Sequence, residues 1–202
     1  MKKNPVILIF QKNLVEGKVK TRLAKSIGNS KAMEVYQYIL THTHQQVALL
    51  GIPTLVFFDN AVEGDFLNNP YFSGAVQKGD NLGQRMKNAF QHAFEMGYRE
   101  VIIIGTDCMQ INSQILKEAL NALDSHEMVI GPAKDGGYYL LGLNKMYVTF
   151  FEDKEWSSPT VFDETMKDAK TLGINPWVLK ELSDIDTYED LGGEEKTLFH
   201  IE

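Results

Sequence analysis

Cysteine is the scarcest resource of this 202-residue chain: Cys108 is the only one. No intramolecular disulfide can form, and no cysteine-based metal centre can be built within one chain. Stability must come from a buried core, and the composition suits a reducing cytoplasm. Long hydrophobic runs are missing too, since nothing approaches the roughly 18 apolar residues of a membrane span. Met1-Lys2-Lys3 ahead of Val6–Phe10 superficially resembles an export leader. That apolar run is shorter than the roughly 7–15 residues a leader needs and is followed at once by charge, so it reads as a strand. Positive charge is in deficit, with 20 Lys and Arg against 27 Asp and Glu and a net charge of −7. Non-specific binding to nucleic acid or anionic membranes is therefore disfavoured. A small anionic ligand is not excluded, because a few well-placed cations suffice for it.

What is present is an ordinary globular composition, 44% apolar and 23% charged, long enough for one α/β domain over residues 1–202. The organising stretch is Val101-Ile102-Ile103-Ile104-Gly105-Thr106-Asp107-Cys108. Its β-branched run predicts a strand buried on both faces, with Asp107 at its carboxyl end. In open α/β sheets ligands bind in the crevice beyond such strand ends. Val6–Phe10 predicts a second buried strand, and residues 11–27 a polar segment carrying Lys12, Lys18, Lys20 and Arg22. Helical spacing follows over residues 30–50, a strand over 53–58, loop with a short helix over 60–72, and a short strand over 75–77. Leu82, Met86, Ala89, Phe90 and Ala93 predict a helix capped by Asn81 and stopped by Gly97, and Asn112 caps the next. Strands are expected at 128–130 and 138–143, a helix with Pro159 in its first turn and Gly173 at its end, and a last strand over 176–182. Thr187 with Asp190 suggests a short acidic helix. Alternation of strand and helix to about residue 127 implies right-handed βαβ units and a mostly parallel sheet, with a mixed-sheet edge or insertion after it.

Four groups of residues are able to carry chemistry. Lys12, Lys20, Thr21 and Arg22 cluster just beyond the first strand and suit a di- or triphosphate, although the spacing is neither a Walker loop nor a Rossmann fingerprint. A solvated surface loop would read the same way. Asp107, Asp135 and the pair Asp184/Asp186 stand at strand ends or loops. Magnesium takes one or two carboxylates plus phosphate oxygens and water, so Asp107 with Asp186 would suffice, Asp184 being the more structural of its pair. Lys134-Asp135-Gly136-Gly137-Tyr138-Tyr139 is a polar, glycine and aromatic corner. Its glycines permit a close backbone approach to substrate, and its tyrosines point to opposite faces. The bland alternative is a tight turn. Residues 77–85, with Asn81, Gly83 and Arg85, are either a ligand edge or simply the start of a helix. His42, His44, His92, His126 and His200 lack metal-ligand spacing and read as structural, and Cys108 has no histidine placed to activate it.

Together these blocks resemble the radical-SAM/selenodomain-associated transferases of the nucleotide-diphospho-sugar transferase superfamily. The similarity rests on Phe10-Gln11-Lys12 with residues 17–24, Asn81-Leu82-Gly83-Gln84-Arg85-Met86, Gly105-Thr106-Asp107-Cys108, residues 131–139, Trp156-Ser157-Ser158-Pro159-Thr160 and Asp184-Ile185-Asp186-Thr187. Six blocks in order span nearly the whole chain. The resemblance implies a Rossmann-like GT-A fold, a mostly parallel mixed sheet flanked by helices. It also implies Lys20 and Arg22 at the phosphates, and Asp107 and Asp186 holding Mg²⁺ or Mn²⁺. Two positions depart from the family pattern: Met109 stands where a proline usually follows the Asp-Cys pair, and Asn13-Leu14 where a proline usually follows the first-strand lysine. Both changes alter loop stiffness and remove no ligand.

Three functions are compatible with these residues, and glycosyl transfer is the one expected first. The family description favours a glycosyltransferase that moves a sugar from a nucleoside diphosphate to a small acceptor, with Asp135 as base or sugar-hydroxyl acceptor. The basic loop favours a nucleotidyltransferase similar to the guanylyltransferases of cofactor synthesis, in which pyrophosphate leaves. A non-catalytic nucleotide-binding protein on the same fold is the third. The expected partners are a nucleotide or nucleotide sugar and a small-molecule acceptor.

Overall fold

The computed structural model describes residues 3–201. Met1, Lys2 and Glu202, the extremities of the expected domain and of the leader-like start, lie outside the described residues. In chain order the elements are β1 (Pro5–Gln11), α1 (Thr21–Ile27), α2 (Asn29–Ala48), β2 (Thr54–Phe58), β3 (Phe72–Val76), α3 (Leu82–Glu95) and β4 (Glu100–Ile104). Then come α4 (Ser113–Ala122), β5 (Met128–Pro132), β6 (Tyr138–Leu143), α5 (Val161–Thr171), β7 (Trp177–Val178) and α6 (Gly193–Leu198). Short 3₁₀ turns occupy Asp65–Asn68 and Val148–Phe151.

The strands form one seven-stranded sheet in the order β3-β2-β1-β4-β6-β5-β7. Pairings among β3, β2, β1 and β4 are parallel, whereas β6 runs antiparallel to both β4 and β5. This is the expected mixed α/β architecture, with one correction. The antiparallel strand is not at an edge: β6 inserts beside β4 in the middle of the sheet. The short β5–β6 connection through Asp135-Gly136-Gly137 makes a hairpin, and a hairpin can only be antiparallel.

Period-two alternation decides the two layers. Ile7, Ile9, Val56, Phe58, Ile102 and Ile104 face one way and meet Val47 of α2 and Leu116, Ala119 and Leu120 of α4. Val6, Leu8, Leu55, Phe57, Val101 and Ile103 face the other way and meet Met86, Ala89, Phe90 and Ala93 of α3 and Ala169 of α5. Central strands covered on both faces carry no polar side, which explains the continuous apolar runs. A third cluster joins Leu23 of α1 and Ala32, Val35 and Ile39 of α2 to Ile185, Leu191 and Phe199. It folds the C-terminal segment back beside the β1–α1 loop, and this juxtaposition creates the site.

Further boundaries differ from the sequence reading: β3 begins at Phe72, and the acidic helix expected at Thr187 with Asp190 is a turn there, the helix following at Gly193–Leu198. The polar stretch 11–27 contains α1, which buries only Leu23 and so shows no helical stripe. The helix α5 begins at Val161, with Thr160 at the N-cap position, so Pro159 lies before its first turn. The last strand shrinks to Trp177–Val178, with an isolated bridge from Ala133 to Leu182. Among the described residues, no helix is long and apolar enough to cross a membrane.

Candidate active site

The carboxyl ends of β1, β2 and β4 open into a cavity of about 580 Å³. Its wall gathers residues far apart in sequence, among them Lys12, Lys20, Thr21, Arg22, Arg85, Asp107, Asp135, Gly137, Tyr138 and Asp186. Asn81, Gly83 and Gly136 are not in that wall, and each has a local task. The Asn81 side chain accepts from the Gln84 N–H as the cap of α3, 2.9 Å away. Gly83 lets Trp156 lie against α3, because a Cβ there would stand 2.3 Å from Trp156 Nε1. Gly136, at φ 88°, touches the Pro159 carbonyl.

At the centre is an ion-pair cluster. Asp107 follows β4, and its backbone carbonyl accepts from the Ile185 N–H at 2.9 Å. Ile185 is buried in the third cluster, so its neighbours Asp184 and Asp186 flank an anchored residue and are brought beside Asp107. Into this notch reaches Lys20. Its ammonium pairs closely with Asp107 Oδ1 and lies 3.1 Å from Asp186 Oδ1. Arg22 adds a looser contact, 3.6 Å from Asp186 Oδ2. The Lys20 side chain is 3% exposed, while Asp107 and Asp186 retain 48% and 43%. The ammonium is thus behind the carboxylates and their other faces look into the cavity. Burial alone would lower the Lys20 pKa, but Asp107 and Asp186 outweigh it and hold the group above its ordinary value.

Lys20 adopts the left-handed conformation, φ 46° and ψ 45°, immediately before α1. That costs a non-glycine residue roughly 1–2 kcal/mol. Such strain persists where the surroundings over-determine the conformation, and here the two carboxylates do so. The sequence reading faced Lys20 toward phosphate; in the folded chain its partners are the carboxylates.

The remaining walls are held rigidly. The Tyr36 hydroxyl from α2 accepts from the Lys12 N–H at 2.9 Å and lies 3.2 Å from Thr106 Oγ1, so it joins the two strand ends. Gln77 donates to the carbonyls of Gln11 and Phe57, both at 3.1 Å. Arg85 is aimed by its Nε, which donates to the Gly79 carbonyl at 3.0 Å. Asn13, standing where the resembling family has proline, is buried. Its N–H donates to Asp59 Oδ1 at 2.7 Å, its side-chain amide donates to the Ala61 carbonyl, and its Oδ1 accepts from the N–H groups of Asn60 and Ala61. Four hydrogen bonds supply the stiffness that a proline ring would have given.

Asp135 accepts from the Gly137 N–H at 2.9 Å through Oδ1. Tyr138 packs against the α3 layer, and Tyr139 lies in the opposite layer with its hydroxyl on the Lys180 carbonyl. Asp184 has a covered Oδ1 with no hydrogen-bond partner. Burial, then the neighbouring Asp107 and Asp135, push its carboxyl up to about 7. Cys108 is buried and its thiol is pushed up to about 11, first by burial and then by Asp184. That is the opposite of an activated nucleophile.

Among the described residues, no group of three or more Asp, Glu, His or Cys side chains is placed to hold a metal ion. The Asp107–Asp186 pair nevertheless fits part of a divalent-cation site. Both carboxylates already converge on one cation, the Lys20 ammonium, and magnesium sites commonly take only one or two carboxylates and complete the shell with phosphate and water. Several wall residues escaped the sequence reading as site members. Gln11 and Trp156 belong to the blocks that carry the family resemblance, and Asp59 follows β2, but none of the three has a spacing that marks it as a ligand. Tyr36 falls on the buried stripe of α2, where periodicity alone gives it no role at the site.

The family model described as "Uncharacterized protein conserved in bacteria (DUF2064)" matches residues 41–158, more than half of the chain. The chain belongs to the DUF2064 family. The matched segment carries Asp107 and Asp135, while Lys20, Arg22 and Asp186 lie outside it. The chain is 23% identical over 180 residues to a 2-phospho-L-lactate guanylyltransferase of Methanocaldococcus vulcanius, covering 86% of this chain and 77% of that one. A second enzyme of that name, from Methanocaldococcus jannaschii, is 24% identical over 178 residues, covering 86% and 75%. Among solved structures, a candidate nucleotide-diphospho-sugar transferase from Desulfovibrio desulfuricans G20 superposes with a TM-score of 0.85 at 32% identity, covering 92% of this chain and 84% of that one. The inositol-1-phosphate CTP transferase of T. maritima shares the fold, with a TM-score of 0.55 at 14% identity over 98% and 96% of the two chains. The DUF2064 chain therefore has the nucleotide-diphospho-sugar transferase-like fold.

Proposed function

We propose that this chain is a nucleotidyltransferase, acting as one catalytic domain over residues 1–202, in the cytoplasm. The observation that carries the reading is a cavity whose wall brings Lys12, Arg22 and Arg85 together with the paired carboxylates Asp107 and Asp186. The wall holds four cations (Lys12, Lys20, Arg22, Arg85) and five carboxylates (Asp59, Asp107, Asp135, Asp184, Asp186). With Lys20 committed to two carboxylates, a bare polyphosphate would meet a wall that is not net positive. A triphosphate that arrives with a divalent cation meets anionic ligands for the metal and cationic ones for its oxygens.

In this reading Lys12, Thr21 and Arg22 bind the β and γ phosphates, and Arg85 lines the same cavity. A phosphorylated acceptor attacks the α-phosphorus through a phosphate oxygen. The new P–O bond forms as the bond to the β-phosphate oxygen breaks, and the electron pair leaves with pyrophosphate. Asp107 and Asp186 would hold Mg²⁺ or Mn²⁺, which when bound supplies charge neutralisation at the phosphate oxygens. Gly137 and Tyr138, with Asp135, form the acceptor side. Support comes from the curated relatives, whose names specify guanylyl transfer, and from the CTP transferase that shares the fold.

A second reading has one observation in its favour, the 32% identical candidate nucleotide-diphospho-sugar transferase. There the same site would release a nucleoside diphosphate, the outcome favoured by the resemblance to the radical-SAM/selenodomain-associated transferases. Incubation with nucleoside triphosphates or nucleotide sugars, Mg²⁺ or Mn²⁺ and small phosphorylated or hydroxylated acceptors separates the two. Pyrophosphate is expected as the leaving group. Nucleoside diphosphate release would overturn nucleotidyl transfer, and no turnover with any pair would count against both readings.

A further inference from the structure

The Lys20 ammonium lies where a cation shared by Asp107 and Asp186 belongs, in contact with an oxygen of each. It reaches there from the protein side, with a side chain 3% exposed, whereas the two carboxylates are nearly half exposed toward the cavity. Its backbone is fixed in the left-handed region, and its carbonyl begins α1 by accepting from the Ala24 N–H at 2.8 Å. Among the described residues, no third acidic, histidine or cysteine ligand completes a metal site. A divalent ion entering alone would find two carboxylates whose charge is already half neutralised, with a positive charge a few ångströms behind them. Like charges at that separation in a partly desolvated site repel by several times the thermal energy. A polyphosphate changes the balance, because it adds the missing oxygen ligands and gives the ammonium another anion to face.

We propose that Lys20 is a built-in counter-cation that makes divalent-metal binding at Asp107 and Asp186 conditional on a polyphosphate: it holds the carboxylates in register while they await the metal, and turns to phosphate when both ligands enter together. The inference rests on the metal–nucleotide reading of this site and adds to it the order in which the ligands bind. It assigns Lys20 as a positioning residue that suppresses metal binding in the free protein.

The test is Mn²⁺ retained with the protein on ultrafiltration, with Mn²⁺ alone and with Mn²⁺ and inorganic tripolyphosphate, whose small Mn²⁺ complex passes the filter. Lys20→Met is expected to bind Mn²⁺ alone at least about tenfold more tightly than wild type, through removal of the like charge. Lys20→Arg should stay as weak as wild type. Adding tripolyphosphate should raise Mn²⁺ affinity in both proteins through its oxygen ligands, by a factor several times larger in wild type than in Lys20→Met. The gain must disappear in the Lys20→Met/Asp107→Asn double variant. Equal affinity of wild type and Lys20→Met for Mn²⁺ alone, or a gain that survives Asp107→Asn, would overturn the proposal while leaving the metal–nucleotide reading in place. Absence of Mn²⁺ binding in every protein, with or without tripolyphosphate, would overturn that reading and the proposal with it. A measurement on wild type alone covers the case in which Lys20→Met does not fold. The Lys20 side-chain nitrogen resonance should move when Mg²⁺ and tripolyphosphate are added together and stay in place with Mg²⁺ alone; movement with Mg²⁺ alone overturns the proposal.

Discussion

Asp135 is the residue at which the two chemical readings part. A phosphorylated acceptor is already ionised near neutral pH and needs no base, whereas a sugar acceptor's hydroxyl has a proton to lose. One oxygen of Asp135 is occupied by the Gly137 N–H, an interaction that Asn can reproduce. Under nucleotidyl transfer, Asp135→Asn should lower kcat by less than about tenfold, as expected for an orienting contact. Removal of a general base typically costs roughly 10²–10⁴-fold, and a loss of that size in kcat would favour glycosyl transfer. Asn13 makes a second residue-scale prediction. Proline is the usual residue at the equivalent point of the resembling family, yet here the Asn13 N–H donates to Asp59 and the side chain makes three further bonds. Asn13→Pro should therefore destabilise by about 2–3 kcal/mol by leaving buried polar groups unpaired. An unchanged urea midpoint would show that the asparagine bridge is dispensable. The resemblance could flag the position as a departure. It could not show that the departing residue had replaced a rigid ring with a hydrogen-bonded bolt.

At the scale of elements, the β5–β6 hairpin and the start of α5 share one contact. Gly136 sits at φ 88°, a Cβ there would fall 2.0 Å from the Pro159 carbonyl, and the Gly136 carbonyl accepts from the Phe162 N–H at 2.9 Å. Gly97 has a similar φ of 92° but nothing within 4 Å of its virtual Cβ. Gly97→Ala should cost only backbone strain, about 1 kcal/mol, whereas Gly136→Ala must also separate the hairpin from α5 and should cost about 2–4 kcal/mol. Urea unfolding at constant slope measures the difference, and equal losses would refute the steric part. The same contrast explains what the sequence could express. The strands β1 and β4 were legible because burial on both faces leaves an unbroken apolar run, and the caps Asn81 and Asn112 because a helix start needs a side-chain acceptor. The helix α1 was not legible, since only Leu23 is buried and most of its length faces solvent. Nor was the insertion of β6 beside β4, because strand order is set by contacts far apart in the chain. The site was legible as a set of residue types at strand ends. That Lys20 would turn to Asp107 and Asp186 was not, because it depends on Ile185 anchoring the C-terminal segment.

Across the whole molecule, the layers packed on the sheet leave few buried titratable groups, and these control how stability responds to pH. His44 on α2 is the clearest. It lies between Phe66 and Phe72, its Nε2 is 2.7 Å from Gln11 Oε1, and burial lowers its pKa to about 4. The unfolded chain binds a proton at this residue below about pH 6.5, whereas the folded chain does not until about pH 4. Stability attributable to neutral His44 is therefore complete above the unfolded pKa, falls as pH drops through that window, and levels off below the folded pKa. The slope approaches 1.36 kcal/mol per pH unit, for a total of about 3 kcal/mol. Asp184 acts in the opposite sense. Its folded pKa of about 7 lies above the unfolded value, so it gains stability as pH falls toward 4. Wild type should consequently show only a shallow acid dependence between about pH 4 and 6.5, because one group takes up the proton that the other refuses. The His44 contribution emerges by difference. Denaturant unfolding of wild type and His44→Gln at pH 7.5 and pH 4.5 should show the variant gaining about 2–3 kcal/mol relative to wild type at the lower pH. A difference between the two proteins that does not change with pH would mean that His44 takes up its proton in the folded state as readily as in the unfolded one.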